Sequence, residues 1–425
     1  MLVDFKVSNF KSFKDPAILS MEASKDKSLP ENVLESPSEK ESGILSSGVI
    51  YGPNASGKSS LIEAIMFMKQ FVLTSERNRS DDSPIQVKPF RLDLETQNQP
   101  SIFEVTFIKD DASYVYGFSV NSRRVLEEWL YSYPVGRRRI LFERNLSPDE
   151  GYKFGDSWKG EAKKISELTR PDALFISVAN QFNQPIASLV FDWFANHLKF
   201  ANASPSGSSE QQFTLAISQQ EDSIRRRVTK LLQKADFLID DFSVLKVPAH
   251  ERMKKEGIPK EIRKKILSMF DSNSKSFMLE GKTIHKANEP NGTPIKISFD
   301  MNEESEGTQK FFSLAGPLLD ILDNGLTLVA DELGMRLHPL LTRSIIGMFH
   351  NKEINRNGAQ LLFTSHDPSL LGDSSLFRRD QIWLTEKEST GATSLSSLWD
   401  FKPRKGENLM RGYLAGRYGA VPYVD

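Results

Sequence analysis

Hydrophobic and polar positions follow two different spacings along this chain of 425 residues. Near its start, DFKVSNFKSF alternates apolar and polar residues, which predicts a half-buried strand. The short runs SIFEVTFI, YVYGFSV and EEWLYSY are also typical of strands, and turn-forming residues separate them. These runs predict an antiparallel β region within residues 1–185.

The spacing becomes helical from residue 186. The segments IASLVFDWFANHLKFA, DSIRRRVTKLLQKADF and IPKEIRKKILSMF each place apolar residues on one face. We therefore expect a mainly helical insertion over residues 186–294. From residue 295 strands and helices alternate, as in a parallel α/β core. The predicted parts are residues 1–185, 186–294 and 295–425.

A glycine-rich loop follows the apolar run GVIY. It reads GPNASGKS and precedes SLIEAIMFMKQFV, which has helical spacing. A strand, this loop and a helix form the phosphate-binding loop of nucleoside triphosphate proteins, in which backbone N–H groups surround the phosphates. Lys58 would reach the β- and γ-phosphates, and the Ser59 hydroxyl would help to coordinate Mg²⁺. The predicted ATP-binding residues of the loop are Gly52, Pro53, Asn54, Ala55, Ser56, Gly57, Lys58, Ser59 and Ser60.

Two later apolar strands end in polar residues. LTLVADE ends in Asp331 and Glu332, and AQLLFTSHD contains His366. Open α/β sheets place ligands at the carboxyl ends of their strands. We expect Asp331 to hold Mg²⁺, through water or with Ser59, and Glu332 to orient or deprotonate the attacking water. His366 would donate to the γ-phosphate; a polar turn and a surface histidine are the plainer alternatives.

The segment SEGTQ opens an amphipathic helix, KFFSLAGPLLDIL. Small residues at a helix start expose backbone N–H groups and a serine hydroxyl that suit phosphate. An ordinary N-cap by Ser305 or Thr308 would explain the same residues.

Together, GPNASGKS, SEGTQ, LVADE and FTSHD have the order and approximate spacing of ABC-type P-loop ATPase heads, and the chain resembles those of SMC, Rad50, RecF and OLD proteins. The resemblance implies a homodimer or higher oligomer with composite ATP sites, each between the phosphate loop of one subunit and the signature residues Ser305 and Gly307 of another. It also makes Asp331 the Walker B aspartate, Glu332 the catalytic glutamate and His366 the switch histidine.

A resemblance over nearly the whole chain is carried by VSNFKSFKDPAILSMEAS, ALFISVANQFN, DELGMRLHPLL and RRDQIWLTEKESTGATSLSSL. These phrases resemble AbiL-type (RloA-like) bacterial ATPases, a family associated with phage resistance that often works beside a small nuclease of RloB type. The chain departs from the wider group at Leu333, where most relatives have proline. The resemblance implies a sensor or regulatory ATPase with a separate effector nuclease.

Composition narrows the setting. A net charge of −1 gives no overall argument for nucleic acid or membrane, and the absence of cysteine excludes disulfides and thiolate metal sites. No run approaches the ~18 apolar residues of a membrane span. We expect a cytoplasmic protein that binds ATP and Mg²⁺; zinc is not expected, because His285 and His338 have no partners at metal-ligand spacing.

Other functions stay open. Basic runs at Arg225–Arg227, Lys254–Lys255 and Arg263–Lys265 would let the insertion contact nucleic acid, as in a RecF- or SMC-like repair ATPase, although a solvated helix face explains them as well. A self-contained nuclease is disfavoured, because about sixty residues follow His366. A nucleotide-dependent scaffold would differ only in turnover.

Two polar residues and the end of the chain allow two interpretations each. Asn9 and Lys11 either contact nucleotide or are exposed strand residues. Gln86 or another residue of QVKPF is a candidate for a loop that couples ATP to the insertion. RGYLAGRYGAVPYVD is either a docking tail or a segment packed on its own core.

Overall fold

The computed structural model describes two compact units. Unit 1 comprises Met1–Ala203, Ile321–Gly334 and Thr342–Asp425, and unit 2 comprises Ser204–Asp320 and Met335–Leu341. The described residues are 1–36, 43–77, 83–134, 137–145, 151–158, 160–201, 209–235, 238–249, 259–262, 277–404 and 406–422.

The core sheet of unit 1 is parallel except at one edge. Its strands, in spatial order, are Leu198–Ala201, Thr327–Ala330, Gln360–Thr364, Ser47–Tyr51, Ile382–Lys387 and Thr393–Ser397. The strand Ser47–Tyr51 is buried along its whole length, as expected for a parallel sheet covered on both faces. The strand that precedes the phosphate loop therefore lies beside Gln360–Thr364, and the carboxyl ends of both strands meet at one edge.

A second sheet of unit 1 is antiparallel. In spatial order its strands are Gly151–Phe154, Arg139–Asn145, Val125–Tyr133, Ala112–Val120, Ser101–Lys109, Leu2–Ser8 and Ala17–Ser20. A short pair, Val33–Leu34 and Ile44–Leu45, is separate from it. This sheet confirms the predicted antiparallel β region and the predicted first strand.

The two sheets and the helix Lys58–Thr74 share one hydrophobic core. Gln360 joins the sheets, because its side chain accepts from Leu2 N at 2.6 Å and donates to Leu2 O at 2.9 Å. The other helices of the described residues are Ala162–Leu168, Phe175–Gln181, Pro185–Asp192, Ser209–Gln220, Asp222–Lys234, Glu306–Asn324, Pro339–His350 and Leu409–Leu414.

A buried charge pair ties the antiparallel sheet to the helix Phe175–Gln181. Glu128 and Arg144 are almost fully buried and lie 3.4 Å apart. Glu128 also accepts from the backbone N–H groups of Phe175 and Ile176, at 2.6 and 3.0 Å. Burial raises the pKa of Glu128, while Arg144 opposes that shift. The phrase ALFISVANQFN thus forms a helix whose first N–H groups are held by a carboxylate.

Residues 186–201 differ from the single amphipathic helix that we predicted. The chain forms a helix over Pro185–Asp192, a π-helical turn over Trp193–His197 and the edge strand Leu198–Ala201. The strand pairs in parallel with Thr327–Ala330. This segment belongs to unit 1. Helical spacing of apolar residues cannot show where pairing with a distant strand takes over.

Unit 2 also differs from the predicted mainly helical insertion. Besides Ser209–Gln220 and Asp222–Lys234, its described residues form an antiparallel sheet of Ile239–Pro248, Phe277–Asn288 and Pro294–Asp300. The expected helix over 258–270 and the basic runs Lys254–Lys255 and Arg263–Lys265 lie outside the described residues, apart from Pro259–Ile262. The run PIKISFD alternates apolar and polar residues, which is the strand pattern that we overlooked.

Within the part of the chain that the structure describes, no helix has both the length and the apolar character needed to cross a membrane.

Candidate functional site

The phosphate loop joins the buried strand Ser47–Tyr51 to the helix Lys58–Thr74. Gly57 precedes the helix with φ 114°, a conformation that favours glycine. A Cβ added there would lie 2.6 Å from Thr393 Cγ2 and 2.9 Å from Ser12 Oγ, so the position also lacks space for a side chain. The loop is therefore shaped by its glycine and by the residues packed behind it.

Lys58 folds over its own loop. Its Nζ donates to Gly52 O at 2.8 Å and to Pro53 O at 2.9 Å. Burial lowers the pKa of Lys58, and the nearby carboxylates of Glu332 and Asp331 oppose that shift. The structure thus places the predicted lysine in the electrostatic field of both predicted carboxylates.

The exposed and buried residues of the loop differ in role. Asn54, Ala55 and Ser59 are exposed, Pro53 and Ser60 are partly exposed. Ser56 is fully buried, and Gly52 and Gly57 are buried too. Ser59 is thus available to a ligand, whereas the Ser56 side chain anchors the loop from behind.

Two threonines that sequence analysis did not single out hold Ser56. Its Oγ lies 2.6 Å from Thr385 Oγ1, which donates to Tyr51 O at 3.2 Å, and Thr393 Oγ1 donates to Ser56 O at 2.8 Å. Both threonines belong to the hairpin Ile382–Ser397. The phrase WLTEKESTGATSL contained them, but nothing local to it indicates a contact with the phosphate loop.

Asp331 and Glu332 follow the strand Thr327–Ala330, and Thr364 ends the neighbouring strand. The Thr364 hydroxyl donates to Asp331 Oδ1 at 2.6 Å and accepts from Glu332 N at 2.7 Å. Glu332 has φ 52°, in the left-handed region that costs a residue with a Cβ about 1 kcal/mol or more. Thr364, another residue that we did not predict, therefore fixes both carboxylate-bearing positions.

His366 meets Glu332 at the same edge. Its Nε2 lies 3.2 Å from Glu332 Oε1, and the two side chains are 41% and 37% exposed. The backbone before it is tied to the phosphate-loop strand, because Ser365 N donates to Ile50 O at 3.1 Å. The structure thus brings together Lys58, Asp331, Glu332 and His366, four of the residues that sequence analysis named.

The residues suit Mg²⁺ only as a companion of phosphate. Among the described residues, no group of three or more His, Asp or Glu side chains is arranged to hold a metal ion. Asp331 keeps one carboxylate oxygen free of the Thr364 hydroxyl, and the Ser59 hydroxyl is exposed. Mg²⁺ is usually bound by one or two carboxylates together with substrate phosphates, so this pair fits it.

The predicted signature residues belong to unit 2. Ser305 Oγ accepts from Thr308 N at 3.2 Å, so the serine caps the helix Glu306–Asn324, as the plainer interpretation expected. Ser305 is nevertheless exposed. A Cβ added at Gly307 would lie 3.2 Å from Arg336 O, a tight contact that favours glycine. Both residues therefore lie at an exposed helix start, in a different unit from the phosphate loop.

The weaker candidates have structural partners. Asn9 is buried and donates to Thr96 O at 2.8 Å and to Gln99 O at 2.9 Å. Lys11 forms an ion pair with Glu63. Gln86 is exposed and donates to the nearby Pro84 O at 3.1 Å. These contacts account for Asn9 and Lys11 without a ligand.

His285 pairs with a carboxylate: its Nε2 lies 2.7 Å from Glu304 Oε1.

The site geometry is that of a P-loop ATPase: a glycine loop between a buried strand and a helix, with two carboxylates and a histidine at the carboxyl edge of a parallel sheet. The family model described as "AAA domain, putative AbiEii toxin, Type IV TA system" matches residues 49–372. Because this match covers most of the chain, the protein belongs to that family and is an ATPase. The predicted α/β P-loop ATPase class and the predicted enzyme activity are confirmed.

Solved structures show a looser likeness. The Smc head bound to the C-winged helix domain of ScpA is 12% identical, with 93% of this chain and 97% of that chain covered and a TM-score of 0.42. A Smc head domain with an extended coiled coil, bound to the C-terminal domain of ScpA from Pyrococcus furiosus, is 12% identical, with 94% and 97% covered and a TM-score of 0.39. The transporter component cbiO1 of Clostridium perfringens is 11% identical, with 99% and 98% covered and a TM-score of 0.32. No protein of curated function matches the sequence.

Proposed function

We propose that this chain is an ABC-type ATPase of the AbiL (RloA-like) kind, which hydrolyses ATP in sites completed by a second copy. It would serve as the sensor or regulatory subunit of a cytoplasmic bacterial antiphage system with a separate effector, a nuclease of RloB type. The observation that carries the ATPase part is the assembly of Lys58, Asp331, Glu332 and His366 at one sheet edge.

Each residue has a distinct task in this proposal. Lys58 exchanges two backbone carbonyls for phosphate oxygens, and Glu332 orients the attacking water and takes its proton. His366 contacts Glu332 and donates to the γ-phosphate. Ser59 and Asp331 would hold Mg²⁺, which supplies charge neutralisation at the phosphates when bound.

The exposure of Ser305 supports a site shared between copies. The serine stands at the start of a long helix, where backbone N–H groups favour anions. It lies in unit 2, while the residues that would bind the phosphates belong to unit 1. We propose that the signature of one copy completes the site of another.

The family description supports the defence setting. It names a putative AbiEii toxin and a type IV toxin–antitoxin system. The nuclease partner comes from the resemblance to RloA-like ATPases and is part of the proposal.

A mass measurement with and without ATP and Mg²⁺ tests the ATP-dependent assembly. Glu332→Gln keeps the shape of the side chain but removes the base, so hydrolysis should slow and an ATP-bound dimer or larger assembly should accumulate. Glu353→Gln, at an exposed glutamate on the turn after the helix Pro339–His350, is the matched control. If wild type and Glu332→Gln stay monomeric and hydrolyse ATP equally, the site assignment is wrong.

Mixing two inactive variants tests the composite site. Ser305→Arg should abolish turnover and leave ATP binding largely intact, and Lys58→Ala should abolish binding. A mixed dimer would pair the intact loop of the first variant with the intact signature of the second, so mixing should restore activity. No recovery from a stable mixed dimer would show that each site lies within one subunit.

Nucleic-acid contact through the insertion stays a prediction. Arg225 pairs with Asp222 at 3.0 Å and with Asp241 at 2.7 Å, and Arg226 lies 3.4 Å from Asp222. These pairs favour a solvated helix face for the one basic run of the insertion that the structure describes. Salt-dependent binding of duplex DNA or RNA by wild type would support the contact.

A further inference from the structure

The switch histidine is followed by a segment on which the C-terminal part of the chain packs. After His366, Pro368–Gly372 forms a 3-10 turn, and the helix Leu409–Leu414 packs on this turn. A Cβ added at Gly372 would lie 3.4 Å from Met410 Sδ, so the two segments are in close contact. The C-terminal segment Asn408–Ala420 is therefore packed on its own core, as one of the two interpretations expected, and residues 423–425 lie outside the described residues.

Tyr51 links the phosphate-loop strand to this region. It is the last residue before the loop and is fully buried. Its hydroxyl donates to Asp367 O at 3.0 Å. Because Ser365 N donates to Ile50 O at 3.1 Å, the backbone is held on both sides of His366 by neighbouring residues of one strand. These two bonds restrain the backbone of His366 relative to the phosphate-loop strand.

The C-terminal segment covers Tyr51 from the other side. The rings of Tyr51 and Tyr413 lie 5.6 Å apart, centroid to centroid, at an interplanar angle of 57°. Tyr413 is buried and its hydroxyl donates to Ala420 O at 3.0 Å, which closes the segment on itself. Burial raises the pKa of both phenols, so both remain hydrogen-bond donors at neutral pH.

We propose that Tyr51 and Tyr413 are positioning residues for His366, and that the segment Asn408–Ala420 thereby sets the rate of ATP hydrolysis. The inference rests on the proposed role of His366 in hydrolysis. Within the described part of the chain, the side chains of Tyr51 and Tyr413 bond to Asp367 O and Ala420 O and pack on each other, away from the loop residues that would bind the phosphates. The two tyrosines should therefore act on turnover rather than on ATP affinity. A partner that moved this segment would then change hydrolysis without entering the ATP site.

Tyr51→Phe removes the hydroxyl and keeps the ring. Losing this neutral hydrogen bond should lower kcat about fivefold, because His366 is held less firmly at Glu332. The affinity for a non-hydrolysable ATP analogue should stay within about twofold of wild type. An unchanged kcat would overturn the role of Tyr51.

Tyr413 is tested by a pair of variants and a control. Tyr413→Leu should lower kcat by a similar factor, whereas Tyr413→Phe, which keeps the ring against Tyr51, should keep most of it. Leu414→Ala is the matched control, since Leu414 belongs to the same helix and is 58% exposed. If the leucine and phenylalanine variants behave alike, the ring contact does not position His366.

A double-mutant cycle separates this inference from the proposed function. In a His366→Ala background, Tyr413→Leu and Tyr51→Phe should cause no further loss of kcat, because the residue that they position is absent. Full activity of His366→Ala would refute the role of His366 itself. A slow His366→Ala protein whose kcat falls again with either tyrosine variant would refute only the positioning role. If Tyr413→Leu does not fold, Tyr51→Phe tests the same link with the loss of a single oxygen.

Discussion

Thr385 offers the most direct test of how the phosphate loop is supported. The Thr385 hydroxyl donates its proton to Tyr51 O. The Ser56 hydroxyl lies 2.6 Å from Thr385 Oγ1, so in this pair Ser56 is the donor. Thr385 and Ser56 are both fully buried. Thr385→Val keeps the branched shape and removes the hydroxyl, which leaves the Ser56 side chain without this partner.

The size of the effect follows from the burial of Ser56. A buried hydroxyl without a partner costs about 1–3 kcal/mol. In the Thr385→Val variant without nucleotide, we expect the Ser56 side chain to turn towards another acceptor, so that ATP binding has to restore the ordered form of the loop. A difference of about 1–2 kcal/mol between these states weakens ATP binding about 5- to 30-fold. The value of kcat at saturating ATP should change less than twofold, because Lys58 and Glu332 are untouched.

Calorimetric titration of ATP with Mg²⁺ into the Glu332→Gln protein, with and without each Thr385 substitution, measures this change without turnover. Thr385→Ser keeps the hydroxyl and should bind nearly as well as the parent. Thr390→Val is the matched control, because Thr390 is exposed at the tip of the same hairpin. The reasoning is refuted if Thr385→Val binds ATP like the parent, or if the serine variant binds as weakly as the valine variant.

Three further substitutions have defined outcomes. Burial lowers the pKa of His350 from 6.5 to about 4, so as the pH falls the unfolded chain takes up a proton before the folded one does, and about 2 kcal/mol of stability should be lost between pH 7.5 and 5. His350→Gln removes this titrating group and changes the partner of Ser47, so its free energy of unfolding in urea should depend less on pH than that of wild type. The same pH dependence in both proteins would contradict this. Thr364→Val should lower kcat at least tenfold with nearly unchanged ATP affinity, because the variant loses the hydroxyl that holds the two carboxylate-bearing positions. An unchanged kcat would show that these two hydrogen bonds are dispensable. Glu128→Gln leaves Arg144 buried without its charge partner and should lower the free energy of unfolding, measured in urea titrations, by about 3 kcal/mol. A loss below about 1 kcal/mol would mean that the charge pair is not needed for stability.

The residues that sequence analysis named are those that belong to short local motifs. The loop Gly52–Ser59 carries its own strand and helix signals, and Asp331, Glu332 and His366 each follow an apolar run. Their meeting at one edge could be predicted because parallel strands align their carboxyl ends. Local pattern and sheet geometry together were sufficient for this part of the site.

The supporting residues depend on contacts that no local pattern records. Thr385 reaches Tyr51 across 334 positions, and Thr364 reaches Asp331 across 33. A threonine in a strand is ordinary, so nothing in its neighbours indicates which one packs behind a phosphate loop. The ATP contacts that sequence analysis assigns to these residues stay predictions, whereas the threonines that hold the residues in place were missed.

The edge strand Leu198–Ala201 and the sheet of unit 2 were missed for different reasons. HLKFA continues an apolar periodicity that suits a helix, and only its pairing with Thr327–Ala330 makes it a strand. In contrast, PIKISFD alternates with a period of two and was predictable. The helical prediction for the insertion rests on three segments of helical spacing within it, and none of them reaches this run.

The backbone conformation at Glu332 links the stability of the fold to the proposed ATP hydrolysis. With φ 52°, this position favours glycine, which adopts a left-handed conformation without steric conflict. We expect Glu332→Gly to leave the stability of the fold unchanged or higher and, if Glu332 has its proposed role, to slow ATP hydrolysis. Attempts to stabilise this protein should therefore leave position 332 unchanged.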